Sequence, residues 1–178
     1  MSTLRRILVD GGSGAGKTTF ARRLCDLWQE DCGQPVQLVS LDFFYPGWHG
    51  LEEASRMVVD DVLTADSPGY TPWDWKRSVP LPRVALDPRL PLLVEGCGAL
   101  TRRSAALADL TIWLDMDADR RRERALSRPD GAGFGPWWEV WAAQEQKHWE
   151  RNRPWELASL MVEPSTLFRT SPEGLESF

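Results

Sequence analysis

The feature that most constrains this chain is the eight-residue segment Gly11–Thr18, GGSGAGKT, near the amino terminus. It fits the pattern G-x-x-x-x-G-K-[ST]. Residues 4–9 before it end in an apolar run typical of a buried strand, and residues 18–30 after it carry apolar side chains at helical spacing. Because a strand, a glycine-rich turn and a helix follow in this order, the segment is predicted to be a phosphate-binding loop.

Each residue type in this loop has a physical reason to be there. Glycines allow a tight turn whose N–H groups point at phosphate oxygens, and the new helix adds the positive end of its dipole. We expect Lys17 to reach the β- and γ-phosphates and the Thr18 hydroxyl to hold Mg²⁺. The predicted cofactors are therefore ATP and Mg²⁺. The nucleotide-binding residues predicted in this segment are Gly11, Gly12, Ser13, Gly14, Ala15, Gly16, Lys17, Thr18 and Thr19.

Composition narrows the class of protein. A length of 178 residues suits a single domain, predicted to cover residues 1–178. The net charge of −5 and the lack of a basic stripe argue against a nucleic-acid partner. Three cysteines without CxxC spacing, and apolar runs too short for a membrane span, favour a reduced, soluble protein. We expect a cytoplasmic monomer or homodimer without a membrane partner.

Strand and helix patterns alternate along the chain. The strands are continuous apolar runs, which is typical of a parallel sheet covered on both faces. The predicted fold class is α/β: a three-layer P-loop NTPase fold with a parallel sheet and a helical lid. Residues 67–82 are predicted to be irregular, and residues 129–136 to be a Gly/Pro-rich loop. The other predicted strands are residues 36–41, 84–86, 91–94, 110–114 and 160–162, and the other predicted helices are residues 51–64, 99–108, 118–128 and 137–152.

Acidic residues follow three of these strands, at Asp42, Glu95 and Asp115. In a parallel sheet these positions share one edge with the phosphate loop, where ligands bind. Acids there can hold Mg²⁺ or accept a proton from an attacking hydroxyl. A functional role is favoured for Asp42 and Glu95, whereas Asp115 leads into a helix and is interpreted as a turn residue. The choice between Glu95 and Asp115 as support for the metal stays open.

A cationic helix face and a group of tryptophans complete the predicted site. Arg121, Arg124 and Arg128 share one face of the helix over residues 118–128, while Arg120 and Arg122 are expected in solvent. Because a Gly/Pro-rich loop follows, residues 117–152 are predicted to form a lid that closes on phosphates. The loop tryptophans near the predicted mouth, Trp48, Trp73 and Trp75, could stack on a planar substrate.

Four segments together resemble the uridine kinase branch of the P-loop nucleoside kinases. They are residues 12–19 (GSGAGKTT), 40–45 (SLDFFY), 94–96 (VEG) and 117–124 (DADRRRER), in an order that runs from about residue 4 to residue 162. The D-x-F-Y-like segment after the second strand is the most specific of them. The segment between Asp74 and Glu95 is much shorter than in true uridine kinases and contains no His that could read a pyrimidine.

The resemblance implies roles for single residues. Asp42 corresponds to the acid that activates the substrate hydroxyl, Tyr45 to an aromatic side chain at the nucleoside pocket, and Asp74 to an acid that contacts ribose hydroxyls. Glu95 corresponds to the Mg²⁺-associated acid. The remaining expected site residues are Trp48 as a substrate contact, Lys17 and Arg124 as catalytic residues beside Asp42, and Arg121 and Arg128 as phosphate contacts from the lid.

The predicted function is that of an ATP-dependent kinase that transfers the γ-phosphoryl group to a hydroxyl of a small molecule, with a nucleoside as one candidate. Two alternatives stay open. A nucleoside monophosphate kinase would need extra arginines for its acceptor phosphate, for which Arg56, Arg77, Arg102 and Arg103 are candidates. A non-kinase regulatory protein would use ATP as a switch and have no acceptor.

Overall fold

The computed structural model describes residues 4–127 and 131–164. Its strands and α-helices, in chain order, are β1 (Arg6–Gly11), α1 (Lys17–Cys32), β2 (Gln37–Ser40), α2 (Leu51–Met57), β3 (Gly69–Tyr70), β4 (Trp73–Asp74), β5 (Val79–Pro80), β6 (Val84–Ala85), β7 (Leu92–Glu95), α3 (Arg102–Ala105), β8 (Leu110–Leu114), α4 (Ala118–Leu126), α5 (Gly131–Phe134), α6 (Trp138–Asn152), α7 (Pro154–Leu157) and β9 (Leu160–Val162). A 3₁₀ turn, Leu41–Phe43, follows β2, and a π-helical segment, Val58–Leu63, continues α2. None of the described helices is long and apolar enough to span a bilayer.

Five strands form one parallel sheet in the order β2-β7-β1-β8-β9. The central strand β1 pairs with β7 on one side and with β8 on the other. Its side chains alternate between two cores, as the two-residue period of a strand requires. Ile7 and Val9 pack with α1, whereas Leu8 packs with α2 and with Trp141 of α6. The predicted three-layer α/β fold is thereby confirmed.

Three local predictions differ from the structure. The segment predicted to be irregular, residues 67–82, contains the short strands β3, β4 and β5. β4 pairs antiparallel with β5, and β3 pairs antiparallel with β6, which lies within the strand predicted at residues 84–86. Two-residue strands are too short to show a hydrophobic period, so the pattern could not reveal them. The helix predicted over residues 99–108 is reduced to α3, because Thr101 and Ser104 form a capping box that starts the helix there.

The third difference concerns residues 129–136, which were predicted to be a loop. Residues 131–134 form α5, and Gly135–Trp137 form a 3₁₀ turn. Residues 129 and 130 lie outside the described part of the chain. The glycines at this point therefore do not prevent helix formation, since the cost of a glycine in a helix is only about 1 kcal/mol and packing can override it.

A buried carboxylate ties the phosphate loop to the loop after β7. Asp10, which is fully buried in β1, accepts hydrogen bonds from the backbone N–H groups of Gly11 (2.6 Å), Gly98 (3.2 Å) and Leu100 (2.8 Å). His148 of α6 lies beside it, with Nε2 3.1 Å from the Leu100 carbonyl oxygen and 3.7 Å from Asp10 Oδ2. Asp10 therefore satisfies three amides that no regular secondary structure would satisfy.

We predict that Asp10→Ala lowers the free energy of unfolding by about 3 kcal/mol or more, because three amides lose their acceptor and an unsatisfied buried amide costs roughly 1–3 kcal/mol. Asp109→Ala is the matched control. Asp109 also accepts backbone N–H groups, from Arg5 and Arg6 at 2.8 Å each, but in solvent. Urea unfolding of both variants measures the difference. Equal losses would contradict the role given to Asp10.

Candidate active site

The phosphate loop lies beyond the carboxyl end of β1, where α1 begins at Lys17. Gly14 and Gly16 have φ values of +82° and +90°, a region that favours glycine. A Cβ on Gly14 would also collide with the backbone carbonyl of Arg121 in α4. The loop therefore needs glycine at these positions both for its own conformation and for the close approach of α4.

Lys17 is buried at the base of the loop. Its Nζ donates to the carbonyl oxygen of Gly12 (3.0 Å) and to Cys97 Sγ (3.1 Å). Burial acts to lower the pKa of Lys17, but Cys97 and the carboxylates of Glu145 and Glu95 raise it, and the net shift is upward. Lys17 is therefore a permanent cation at neutral pH, as a phosphate ligand must be.

Thr18 and Glu95 form an oxygen pair beside Lys17. The Thr18 hydroxyl donates to Glu95 Oε1 over 3.1 Å, and Glu95, at the end of β7, is only 1% exposed. Burial raises the pKa of Glu95 and the charge of Asp42 raises it further, against hydrogen bonds from Ser40 and Thr18. A hydroxyl and a carboxylate are the donors that Mg²⁺ prefers, and Mg²⁺ commonly needs only one or two protein ligands beside phosphates. The pair fits the predicted metal site.

Asp42 borders the same cavity, whose volume is about 400 Å³ and whose lining also includes Lys17, Thr18 and Glu95. It lies in the 3₁₀ turn after β2, with its side chain exposed. The indole N–H of Trp75 donates to the Asp42 carbonyl oxygen over 3.0 Å, which joins the β4–β5 hairpin to this turn. The structure thus brings the predicted base and the predicted phosphate and metal residues to one cavity.

Aromatic side chains form the rest of the cavity wall. Tyr45 is buried, donates its hydroxyl to the Cys97 carbonyl oxygen (2.7 Å), and meets Trp141 edge to face at 4.7 Å between ring centroids. Trp48 lies nearly parallel to Trp137 at 5.5 Å and contacts Trp75 at 4.8 Å. The aromatic residues that line the cavity are Tyr45, Trp48, Trp75, Phe134 and Trp141. Since the Tyr45 hydroxyl is bound to the backbone, this residue presents its ring to the cavity.

Two of the arginines predicted to belong to a lid, Arg121 and Arg124, lie beside the phosphate loop. Arg121 Nη1 donates to the Ser13 carbonyl oxygen over 3.3 Å, and its guanidinium lies 5.2 Å from the ring centroid of Trp149. Arg124 is exposed, and its Nη2 would be 3.3 Å from a Cβ placed on Gly16. Arg128 lies outside the described residues. Arg121 therefore braces the loop through protein contacts, whereas Arg124 lies over the loop without a carboxylate partner among the described residues.

Asp74 and Asp115 do not line this cavity. The Asp74 carboxylate accepts hydrogen bonds from the N–H groups of Lys76 and Arg77, both at 2.9 Å, and closes the hairpin turn. Asp115 lies after β8, and its N–H donates to the Val162 carbonyl oxygen over 2.9 Å. The ribose contact assigned to Asp74 stays a prediction, and Glu95 is the better placed of the two metal candidates.

With this geometry the chain can be compared with known proteins. No protein-family model matches the sequence. A uridine kinase of Halobacterium salinarum is 30% identical over 139 residues, which cover 67% of this chain and 60% of that protein. The chain therefore spans about three fifths of the length of this curated relative.

Two solved structures share the fold. A possible uridine kinase from Bacillus stearothermophilus has a TM-score of 0.61 at 16% identity and covers 92% of this chain and 90% of its own. A putative fructose transport system kinase from Silicibacter sp. TM1040 has a TM-score of 0.57 at 17% identity, with 91% of each chain covered. The chain is therefore similar in sequence to a uridine kinase over these 139 residues, and similar in fold to the two kinase structures.

The cavity region contains two residues that the sequence pattern did not predict, Cys97 and Glu145. Cys97 Sγ lies 3.1 Å from both Lys17 Nζ and Glu145 Oε1. Glu145 follows Trp141 by four residues and precedes His148 by three, so all three lie on the buried face of α6. The position of Glu145 on the apolar face of a helix could have marked it as a functional residue. The sequence pattern does not show which groups it contacts.

We predict that burial of Glu95 reverses the usual effect of a carboxylate on the pH dependence of stability. Because the folded pKa is raised above its ordinary value of 4.5, the folded state holds this proton more tightly than the unfolded state. The stability that the more tightly held proton of Glu95 provides is fully present below pH 4.5. It is lost as the pH rises through the pKa of Glu95 in the folded state. Wild type should therefore lose unfolding free energy relative to Glu95→Gln as pH rises through this window.

Urea unfolding of both proteins at several pH values measures this slope, and Glu53→Gln provides a control of opposite sign. The hydrogen bond from Arg56 lowers the pKa of Glu53, so its contribution is present above 4.5 and lost as pH falls. A difference between wild type and Glu95→Gln that does not change with pH would show that burial does not raise the pKa of Glu95.

Proposed function

We propose that this chain is an ATP-dependent kinase that transfers the γ-phosphoryl group to a hydroxyl of an uncharged, planar small molecule. The observation that carries the proposal is the single cavity of about 400 Å³. Lys17, Thr18 and Glu95 line it together with Asp42 and the aromatic wall. We propose that the phosphoryl donor binds at the first group of residues, the phosphate end, and the acceptor at the second, the acceptor end.

The phosphate end can hold the nucleotide and its metal. The loop around Gly14 and Gly16 supplies backbone N–H groups, Lys17 supplies the cation for the β- and γ-phosphates, and Thr18 with Glu95 would hold Mg²⁺. When bound, Mg²⁺ supplies charge neutralisation on the transferred group. Arg124, which lies over Gly16, could add positive charge to the same phosphates.

The acceptor end can activate a hydroxyl. Asp42 would orient the hydroxyl and take its proton, the new bond would form between that oxygen and the γ-phosphorus, and the bond to the β-phosphate oxygen would break to release ADP. The indole N–H of Trp75 holds the turn that carries Asp42 through the backbone carbonyl of that residue. The aromatic wall excludes water from the reacting groups and so limits loss of the phosphoryl group to hydrolysis.

The charges around the cavity favour a hydroxyl over a phosphate acceptor. Among the described residues that line it, Lys17 is the only cationic side chain. Arg56, Arg102 and Arg103 instead border a separate groove between α2, α3 and α6, where Arg56 and Arg103 both pair with Asp60. Arg77 is 79% exposed at the hairpin turn. The described arginines considered for a monophosphate acceptor therefore lie elsewhere.

The aromatic wall supports a planar acceptor, because rings such as Trp48 and Trp75 gain both burial and stacking energy on a flat partner. A nucleoside is the leading candidate, since the curated relative is named a uridine kinase. Uracil itself would have to be bound without a histidine, because the described lining of the cavity contains none.

The test is an acceptor panel. The purified chain is given ATP and Mg²⁺ with nucleosides, nucleoside monophosphates, sugars or other alcohols, and ADP release is measured. Release that depends on a nucleoside or another planar alcohol supports the proposal. Release only with monophosphates would establish the phosphate-acceptor alternative. Release indifferent to every acceptor would favour a regulatory ATP switch.

We predict that Asp42→Asn lowers kcat for the acceptor by about two orders of magnitude or more, because a positioned base contributes typically 10²–10⁴-fold, roughly. Asparagine keeps the shape and polarity of the side chain but cannot accept the proton. The dissociation constant of ATP should change little. Initial rates and nucleotide titration measure the two effects separately.

Asp66→Asn is the matched control, since Asp66 is an exposed carboxylate that does not line the cavity. It should leave kcat unchanged. An unaltered kcat in Asp42→Asn would remove Asp42 from the role of base. Loss of ATP binding would instead place Asp42 with Glu95 at the metal.

A further inference from the structure

The phosphate loop already contacts an anion that belongs to the chain itself. Glu145 of α6 is 2% exposed, and its Oε1 accepts a hydrogen bond from the Ser13 backbone N–H over 2.7 Å. Oε1 also lies 3.1 Å from Cys97 Sγ, and Oε2 lies 3.6 Å from Arg121 Nη1. The carboxylate thus contacts an amide donor of the loop and an arginine of the lid helix.

These are the partners that a phosphate group uses. Backbone N–H groups of a glycine-rich loop bind anions, and arginine and lysine neutralise them. Glu145 also contributes to the raised pKa of Lys17, whose Nζ reaches Cys97 Sγ from the other side. A buried carboxylate is costly without such partners. The positive charge around the loop is therefore neutralised from within the chain, by a side chain 132 residues away in sequence from Ser13.

We propose that Glu145 is an internal anion that holds the phosphate loop and that the nucleotide phosphates must displace from Ser13. The inference rests on nucleotide binding by the loop, as proposed above, and adds a residue that sets its affinity. Two anions at one amide repel each other, and Asp42 adds a further carboxylate to the lining of the neighbouring cavity. Glu145 therefore weakens nucleotide binding.

The displacement of Glu145 would affect the aromatic wall of the cavity through α6. Gln144, next to Glu145, donates to the Trp48 carbonyl oxygen over 2.6 Å and accepts from the Leu51 N–H over 3.3 Å. Trp141, one turn earlier, packs on Tyr45. A shift of this turn of α6 on release of Ser13 would move both sides of the acceptor pocket. Glu145 is thus a positioning residue that makes nucleotide and acceptor binding interdependent.

The test compares wild type with Glu145→Gln, which keeps the shape and removes the charge. Calorimetric titration with MgATP, and with inorganic tripolyphosphate as a probe of the loop alone, should show at least about fivefold tighter binding, as removal of one like charge at short range predicts. Glu150→Gln removes the same charge from the exposed face of α6 and should bind as wild type does. The KM for the acceptor should also lose its dependence on ATP concentration in Glu145→Gln.

A second measurement keeps the test valid if Glu145→Gln folds poorly. Glu145→Asp keeps the charge but withdraws the carboxylate from Ser13, so hydrogen exchange at the Ser13 amide should become faster and ATP binding should again be tighter. Equal or weaker ATP binding in both variants would overturn the inference while leaving the kinase proposal intact. Failure of wild type and both variants to bind ATP or tripolyphosphate would overturn the proposed function and this inference together.

Discussion

Parallel hydrogen bonding of β1 to both β7 and β8 decides where the chemical groups of this chain lie. Parallel strands end at the same edge of a sheet, so the phosphate loop after β1 and Glu95 at the end of β7 must be neighbours. Pairing of β2 with β7 brings Asp42 to the same edge. The cavity therefore follows from strand order, and the aromatic side chains only enclose it.

Charged side chains lie close together and buried at this edge of the sheet. Three charged side chains there are nearly fully buried: Lys17, Glu95 and Glu145. Each has a hydrogen-bond partner, which is the Gly12 carbonyl oxygen for Lys17, the Thr18 hydroxyl for Glu95 and the Ser13 N–H for Glu145. Such groups are stable only while their partners remain in place. On the role proposed for Glu145, a triphosphate would enter this set as a further anion, and its binding would require the existing contacts to rearrange. Affinity for the nucleotide would then depend on the position of α6.

Helix α6 is the element that joins the parts of the site. From one buried face it contacts Tyr45 through Trp141, the phosphate loop through Glu145 and the Leu100 backbone through His148. These contacts explain why a tryptophan-rich helix can be part of a predicted phosphate-binding lid. Its tryptophans pack against the aromatic wall of the cavity and against Arg121. Its polar side chains form hydrogen bonds with the backbone of the neighbouring loops.

The sequence by itself determined the phosphate loop, the parallel sheet and the acids at its edge, because each is encoded in adjacent residues or in a short period. Residues 11–18 specify their own turn, and an apolar run specifies a buried strand wherever it packs. Only the tertiary structure decided the partners of Asp10, Arg121 and Glu145, since their contacts join residues far apart in sequence. It likewise separated Asp74 from the cavity, because the hairpin turn binds the carboxylate that the resemblance assigned to a substrate.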